Sequence, residues 1–161
     1  MNPSELRSTL ALAGIFGLRM LGLFLLLPVF SIHARGLPGG DHALWVGLSL
    51  GIFNIVQAFF YIPLGRLSDR IGRKPVVLWG LSLFVAGALI CAAKDDLLWI
   101  AIGRGVMGAG AVSAAISAWV ADLTREQVRT RAMALVGGSI ALSFALSLVI
   151  AAPIYRMISL N

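Results

Sequence analysis

Charged residues fall in short intervals along this chain. Between them run five stretches almost without Asp, Glu, Lys or Arg, at residues 8–32, 43–65, 75–93, 97–121 and 132–155. A helix needs about 20 residues to cross a hydrocarbon core of about 30 Å, and each stretch is about that long or longer. The pattern therefore predicts an all-α integral membrane protein with five transmembrane helices. The composition agrees: 59% of the 161 residues are hydrophobic, only 12% are charged, and mean hydropathy is +0.93, beyond the range of soluble domains. What remains outside the five stretches is too little to build a separate soluble domain. Residues 1–161 read as one transmembrane bundle, and function must come from the membrane part.

A net charge of +6 in a soluble protein would suggest a nucleic-acid partner, but here the cations sit in the loops and report topology instead. One side receives Arg7, Arg66, Arg70, Arg73, Lys74, Arg125, Arg129 and Arg131; the other receives Arg35, Lys94 and Arg156. Eight against three places the N-terminus and the second and fourth loops in the cytoplasm, and Asn161 outside. Trp45, Trp79, Trp99 and Trp119 lie near span ends, where an indole can keep its N–H wet. The first span is not a signal peptide. It carries Arg19 at its centre, and no small-x-small cleavage site precedes Arg35.

Cofactor chemistry finds little support. Cys91 is the lone cysteine, which excludes an internal disulfide and a thiolate metal cluster, and His33 and His42 read as solvated loop residues. Gly103-Arg104-Gly105-Val106-Met107-Gly108 matches the dinucleotide expression G-x-G-x-x-G, but inside a membrane span it lacks the strand and turn that motif requires. No Ser-His-Asp set, HExxH, P-loop or pair of intramembrane carboxylates is present, so the chain does not read as an enzyme. No metal and no cofactor are expected.

Packing and polar positions carry the rest. Small residues let helix backbones approach in lipid, so Gly47 with Gly51, the run Gly103, Gly105, Gly108 and Gly110, and Gly14, Gly17 and Gly22 predict close helix contacts. Arg19 starts near the bilayer midplane and Arg104 about 10 Å inside a boundary, where an arginine costs roughly 2.5–3.5 kcal/mol on insertion scales and should face protein or water. Asn54 and Gln57 lie one turn apart on the second span and could line a polar path with Ser49 and Tyr61. These four residues, Arg19, Asn54, Gln57 and Arg104, are the candidate substrate or proton pathway. Between the second and third spans, Gly65-Arg66-Leu67-Ser68-Asp69-Arg70-Ile71-Gly72-Arg73-Lys74-Pro75 reads as a loop: Gly65 for close approach, Gly72 for a positive φ, Pro75 to start the next helix. Asp122 ends the fourth span, and an Asp69–Arg73–Asp122 relay is expected to latch one conformation.

The spacing Gly65-xxx-Asp69-Arg70-x-Gly72-Arg73-Lys74 resembles the signature loop of the major facilitator superfamily, placed between the second and third helices as in that family. Arg104-xx-Met107-Gly108-x-Gly110-Ala111 is similar to its fourth-helix pattern R-x-x-Q-G-x-G-A, and Asp122 with Arg129 and Arg131 resembles the end of that helix. The first span, Gly17 to Phe24 and on to Pro28, most resembles the YajR-type, drug-efflux-like branch. The resemblance implies five helices of an incomplete N-terminal six-helix bundle. It further implies a proton-coupled secondary transporter of a bacterial-type inner membrane, moving a small organic solute by alternating access, with efflux the expected direction. Proton coupling passes by resemblance to Arg104, and stabilisation of the outward-facing state to Asp69 with Arg73. Met107 stands where the pattern has Gln, and the fifth-helix antiporter pattern survives only as Ala152-Pro153, so antiport is a narrower expectation than transport. The partners implied are membrane lipid, protons, a solute that two intramembrane arginines would favour as anionic, and a C-terminal half in the same or another chain. The alternative is a truncated or split half with a structural or pairing role and no transport of its own.

Overall fold

The computed structural model describes residues 1–33, 43–93, 96–110 and 112–159, with the side chains of 26–33, 43, 152 and 154–159 left aside. Arg35, His42, Lys94 and Ala111 therefore lie outside the described residues, as do the side chains of His33 and Arg156. Among the described residues six helices follow in order: α1 (Pro3–His33), α2 (Ala43–Ile71), α3 (Arg73–Ala93), α4 (Leu97–Ala109), α5 (Ser113–Leu123) and α6 (Glu126–Ser159). Five segments among the described residues are long and apolar enough to cross a membrane, with α4 and α5 together making one of them. The chain is an all-helical, multi-pass membrane protein, and its large exposed apolar side chains, such as Phe59 at 78% exposure, are what lipid-facing surfaces require.

Two differences from the sequence reading have physical causes. The segment 65–75 is not an open loop, because α2 continues as helix to Ile71 and α3 begins at Arg73 rather than at Pro75. Gly72 alone makes the reversal, with φ +97, a conformation that costs a residue without a Cβ little. Pro75 falls in the first turn of α3, where its missing N–H is one that no helical carbonyl would have used. The fourth crossing is likewise interrupted: α4 stops at Ala109, Gly110 caps it with its N–H on the Met107 carbonyl, and α5 starts at Ser113.

The chain divides into two compact units. Unit 1 comprises residues 1–31 and 117–161, and unit 2 comprises 32–116. In unit 2, α4 packs on both α2 and α3, which touch each other far less. Glycines make this possible on both faces of α4. A Cβ at Gly108 would lie 2.5 Å from the Phe53 carbonyl of α2, and one at Gly103 2.6 Å from the Gly87 carbonyl of α3. In unit 1 the Ser143 hydroxyl of α6 donates to the Gly17 carbonyl of α1 at 2.7 Å, and Phe24 and Phe144 meet edge to face at 5.1 Å. The buried face of α1 is a helical stripe of Glu5, Thr9, Leu12, Phe16 and Arg19, spaced three and four apart. By contrast, nothing in the described structure comes within 4 Å of a Cβ placed at Gly14, Gly47, Gly51 or Gly65, so the expected close approaches there are not made.

Candidate functional site

Arg104 occupies the middle of unit 2. It lies on the buried stripe of α4 with Leu97, Ile100 and Met107, and is 1% exposed. Its Nη2 donates to the Leu50 carbonyl of α2 at 3.1 Å, and its guanidinium carbon lies 5.6 Å from the centre of the Phe53 ring, within range of a cation–π contact. Its Nε and Nη1 are buried without a hydrogen-bond partner among the described residues. A buried cation with one neutral acceptor and two idle donors is an expensive arrangement. Gly108 lets the α4 backbone come near enough to α2 for the guanidinium to reach Leu50, since a Cβ there would press on the Phe53 carbonyl.

The structure sorts the other candidates. Asn54 and Gln57 are on α2, in the same unit as Arg104, but the Arg104 hydrogen bond goes to Leu50 and not to either amide. Asn54 is exposed and Gln57 half-buried. Ser49 is buried, and its hydroxyl bonds back to the Trp45 carbonyl of its own helix at 2.7 Å. Ser49 lines, with Trp45, Leu48, Ile52, Asp96 and Leu98, a largely apolar cavity of about 530 Å³ bordered by the N-terminal halves of α2 and α4. Arg19 belongs to unit 1, on α1, where it is 3% exposed. Met107, which replaces the pattern's Gln, points to α3: its Cγ would lie 2.5 Å from a Cβ at Gly87, so it fills the helix seam.

At the α2–α3 corner, Arg73 pairs with Asp69, one turn before it in sequence and across Gly72. The Arg73 Nη1 also donates to Ser68 Oγ at 2.6 Å, and Ser68 Oγ in turn donates to the Gly65 carbonyl at 2.7 Å. Gly65 thus serves as an acceptor at this corner and not as a point of close approach. Ser68, 1% exposed, is the residue that sequence reasoning passed over; an Oγ three residues after a helix carbonyl was the available signal. Arg70 and Lys74 are exposed, as is Asp122 at the end of α5 in unit 1. A second pair went unread in the sequence: Arg125 Nε donates to Glu5 Oε1 at 2.9 Å within unit 1.

Helices of membrane-crossing length, a buried membrane arginine and an Asp-Arg corner closed over a glycine define a transporter-type bundle, and the chain belongs to the Major Facilitator Superfamily, whose pattern matches residues 10–159. It is 45% identical over all 161 residues to the "Inner membrane transport protein YajR" of Escherichia coli K12. It is 37% identical over 119 residues, 73% of the chain, to the "Tetracycline resistance protein, class G" of Vibrio anguillarum, and 34% identical over 114 residues, 70% of the chain, to the "Multidrug resistance protein MdtH" of Yersinia pestis. The chain spans 35%, 30% and 28% of the lengths of these three relatives. Membership of a transporter family also answers the question of catalysis: this is not an enzyme family.

Proposed function

We propose that the chain is the N-terminal part of a proton-coupled secondary transporter that exports a small organic solute across the inner membrane by alternating access, with its N-terminus in the cytoplasm. The observation that carries this reading is Arg104. A guanidinium buried in a membrane helix, with one carbonyl acceptor and two nitrogens idle among the described residues, is poised to take a carboxylate or an anionic solute and to return to Leu50 when that partner leaves. Asn54, exposed on a membrane helix, supports a polar cavity on that side of α2, because a carboxamide facing acyl chains would leave its hydrogen bonds unmade. Arg19 and Gln57 complete the proposed pathway. The names of the two resistance proteins support outward transport of drug-like solutes.

In the same reading, Asp69 and Arg73 latch the α2–α3 corner in one conformation, with Gly65, Arg70, Gly72, Lys74 and Asp122 as the remaining latch residues. Alternating access then requires this latch to open once per cycle. The test is flux by the complete protein in proteoliposomes under an imposed proton gradient. Arg104→Met should lower proton-driven flux at least about tenfold while leaving thermal stability unchanged or raised, since an apolar replacement relieves a buried charge. Asp69→Asn should lower flux less. Normal proton-driven flux in Arg104→Met would remove the coupling role.

A further inference from the structure

Residues Asn2-Pro3-Ser4-Glu5 open α1 with the carboxylate half of a capping box. Pro3 is the first helical residue, and Glu5 Oε2 accepts the backbone N–H of Asn2 at 2.6 Å. Capping uses only one carboxylate oxygen. The other, Oε1, accepts from Arg125 Nε at 2.9 Å, while Arg125 Nη2 reaches the Asn2 side-chain oxygen at 3.4 Å. Arg125 belongs to the short connection between α5 and α6, which is tied to the end of α5 by Thr124 Oγ1, donating to the Val120 carbonyl at 2.7 Å, while Arg129 Nη2 of α6 donates to the Ala121 carbonyl at 3.4 Å. One carboxylate therefore both starts the first helix and fastens it to that connection.

The two partners are unequally buried. The Glu5 side chain is 10% exposed, whereas that of Arg125 is 59% exposed. Arg125 loses little solvation of its own when it swings into water, and Glu5 then keeps its cap but is left as a largely buried carboxylate that gains by hydration. One turn further along the same face, Thr9 is 1% exposed and its hydroxyl makes no hydrogen bond among the described residues. A hydroxyl held dry and unsatisfied gains whenever water reaches it. An ion pair with one partner already in water, over a carboxylate and a hydroxyl that both gain by hydration once it parts, is the arrangement of a closure.

We propose that the Glu5–Arg125 pair is a releasable clamp that holds the start of α1 against the α5–α6 connection and, on parting, opens unit 1 as far as Thr9. The clamp lies in a different unit from the Asp69–Arg73 corner and is a second device. It goes beyond the transport reading and draws on it only for its purpose.

The experiment measures opening and not flux. In the complete membrane-inserted protein carrying Cys91→Ser and Thr9→Cys, alkylation by N-ethylmaleimide reads access to position 9. Glu5→Gln retains an amide oxygen for the cap and removes the charge; Arg125→Gln removes the other partner. Each should speed alkylation about threefold, and the double variant should be no faster than the singles, because both break one pair. Should Thr9→Cys fail to insert, hydrogen exchange at the amides of residues 6–9 in the native-cysteine protein reads the same cycle. Rates that are unchanged, that rise in only one single variant, or that multiply in the double variant would each overturn the clamp. A failed clamp leaves the flux result for Arg104→Met untouched, and a failed flux result leaves these rates as they are.

Discussion

The α4 seam of unit 2 and the α1–α6 seam of unit 1 both rely on small residues, but they meet their neighbours at different distances. In unit 2, a methyl at Gly103, Gly108 or Gly110 would sit 2.3–2.6 Å from a backbone carbonyl oxygen of the adjoining helix. In unit 1, a methyl at Gly17 would sit 3.1 Å from a serine hydroxyl and 3.5 Å from the nearest carbonyl. A backbone cannot step aside, whereas a hydroxyl can rotate. The seam that carries the buried Arg104 is thus a hard backbone contact, and the seam along α1 is an adjustable one in which the Ser143 hydroxyl bonds the Gly17 carbonyl. The difference teaches where each unit can yield: unit 2 must hold its helices in register for Arg104 to reach Leu50, while unit 1 has slack built into its packing.

The sharpest way to break the comparison is Gly108→Ala. The added methyl would press on the Phe53 carbonyl from 2.5 Å, and relief requires α4 to move off α2. Destabilisation of about 1–3 kcal/mol is expected, read from thermal or denaturant unfolding in detergent micelles. The same shift should pull Arg104 away from Leu50, so proton-driven flux should fall with stability. A Gly108→Ala protein of unchanged stability would show that the α4 seam is no harder than the other.

A smaller effect is expected at Gly17→Ala. Here the nearest atom is the Ser143 hydroxyl, which can turn away and give up its bond to the Gly17 carbonyl. An interhelical hydrogen bond in a membrane averages about 0.6 kcal/mol, so a loss of under about 1 kcal/mol should follow. Ser143→Ala removes the same bond, and the double variant should fall short of the sum of the two singles. A loss at Gly17→Ala as large as that at Gly108→Ala would erase the distinction between the seams.

Much of this was legible in the sequence, for reasons that also explain what was not. The five crossings could be read because burial in lipid demands long charge-free stretches, and the glycines of the fourth crossing because membrane helices approach through small residues. The Gly72 reversal could be read from backbone chemistry alone. The break at Gly110 could not, because it arises where a Cβ would lie 2.3 Å from the Gly80 carbonyl, a contact between positions far apart in the chain. Nor could the partner of Arg104: sequence spacing placed the polar residues Asn54 and Gln57 on α2, but the guanidinium chose the carbonyl of Leu50, and any residue type carries a carbonyl. The Glu5–Arg125 pair went unread, because the Glu5 carboxylate on the Asn2 N–H is local but its second partner lies 120 residues away.

The smallest expected effect comes from a glycine that belongs to neither seam. Gly51 and Gly47 form the same small-xxx-small spacing that works elsewhere in the chain, but a Cβ at either position meets nothing within 4 Å among the described residues. Spacing on a helix shows only that two residues share a face; it does not say whether another helix lies against that face. Within this chain, then, Gly51→Ala should be neutral or stabilising by up to about 1 kcal/mol, because alanine loses less backbone freedom in a helix and there is no neighbour to offend. The measurement is the unfolding midpoint of the 161-residue chain in micelles, set beside the same substitution in a complete major facilitator protein. Neutrality in the short chain with a clear loss in the complete protein would mean that the ridge is an interface for helices beyond these five. A loss in the short chain comparable to Gly108→Ala would mean that α2 has a close neighbour on that face after all, and the contrast between hard and adjustable seams would have to be redrawn around it.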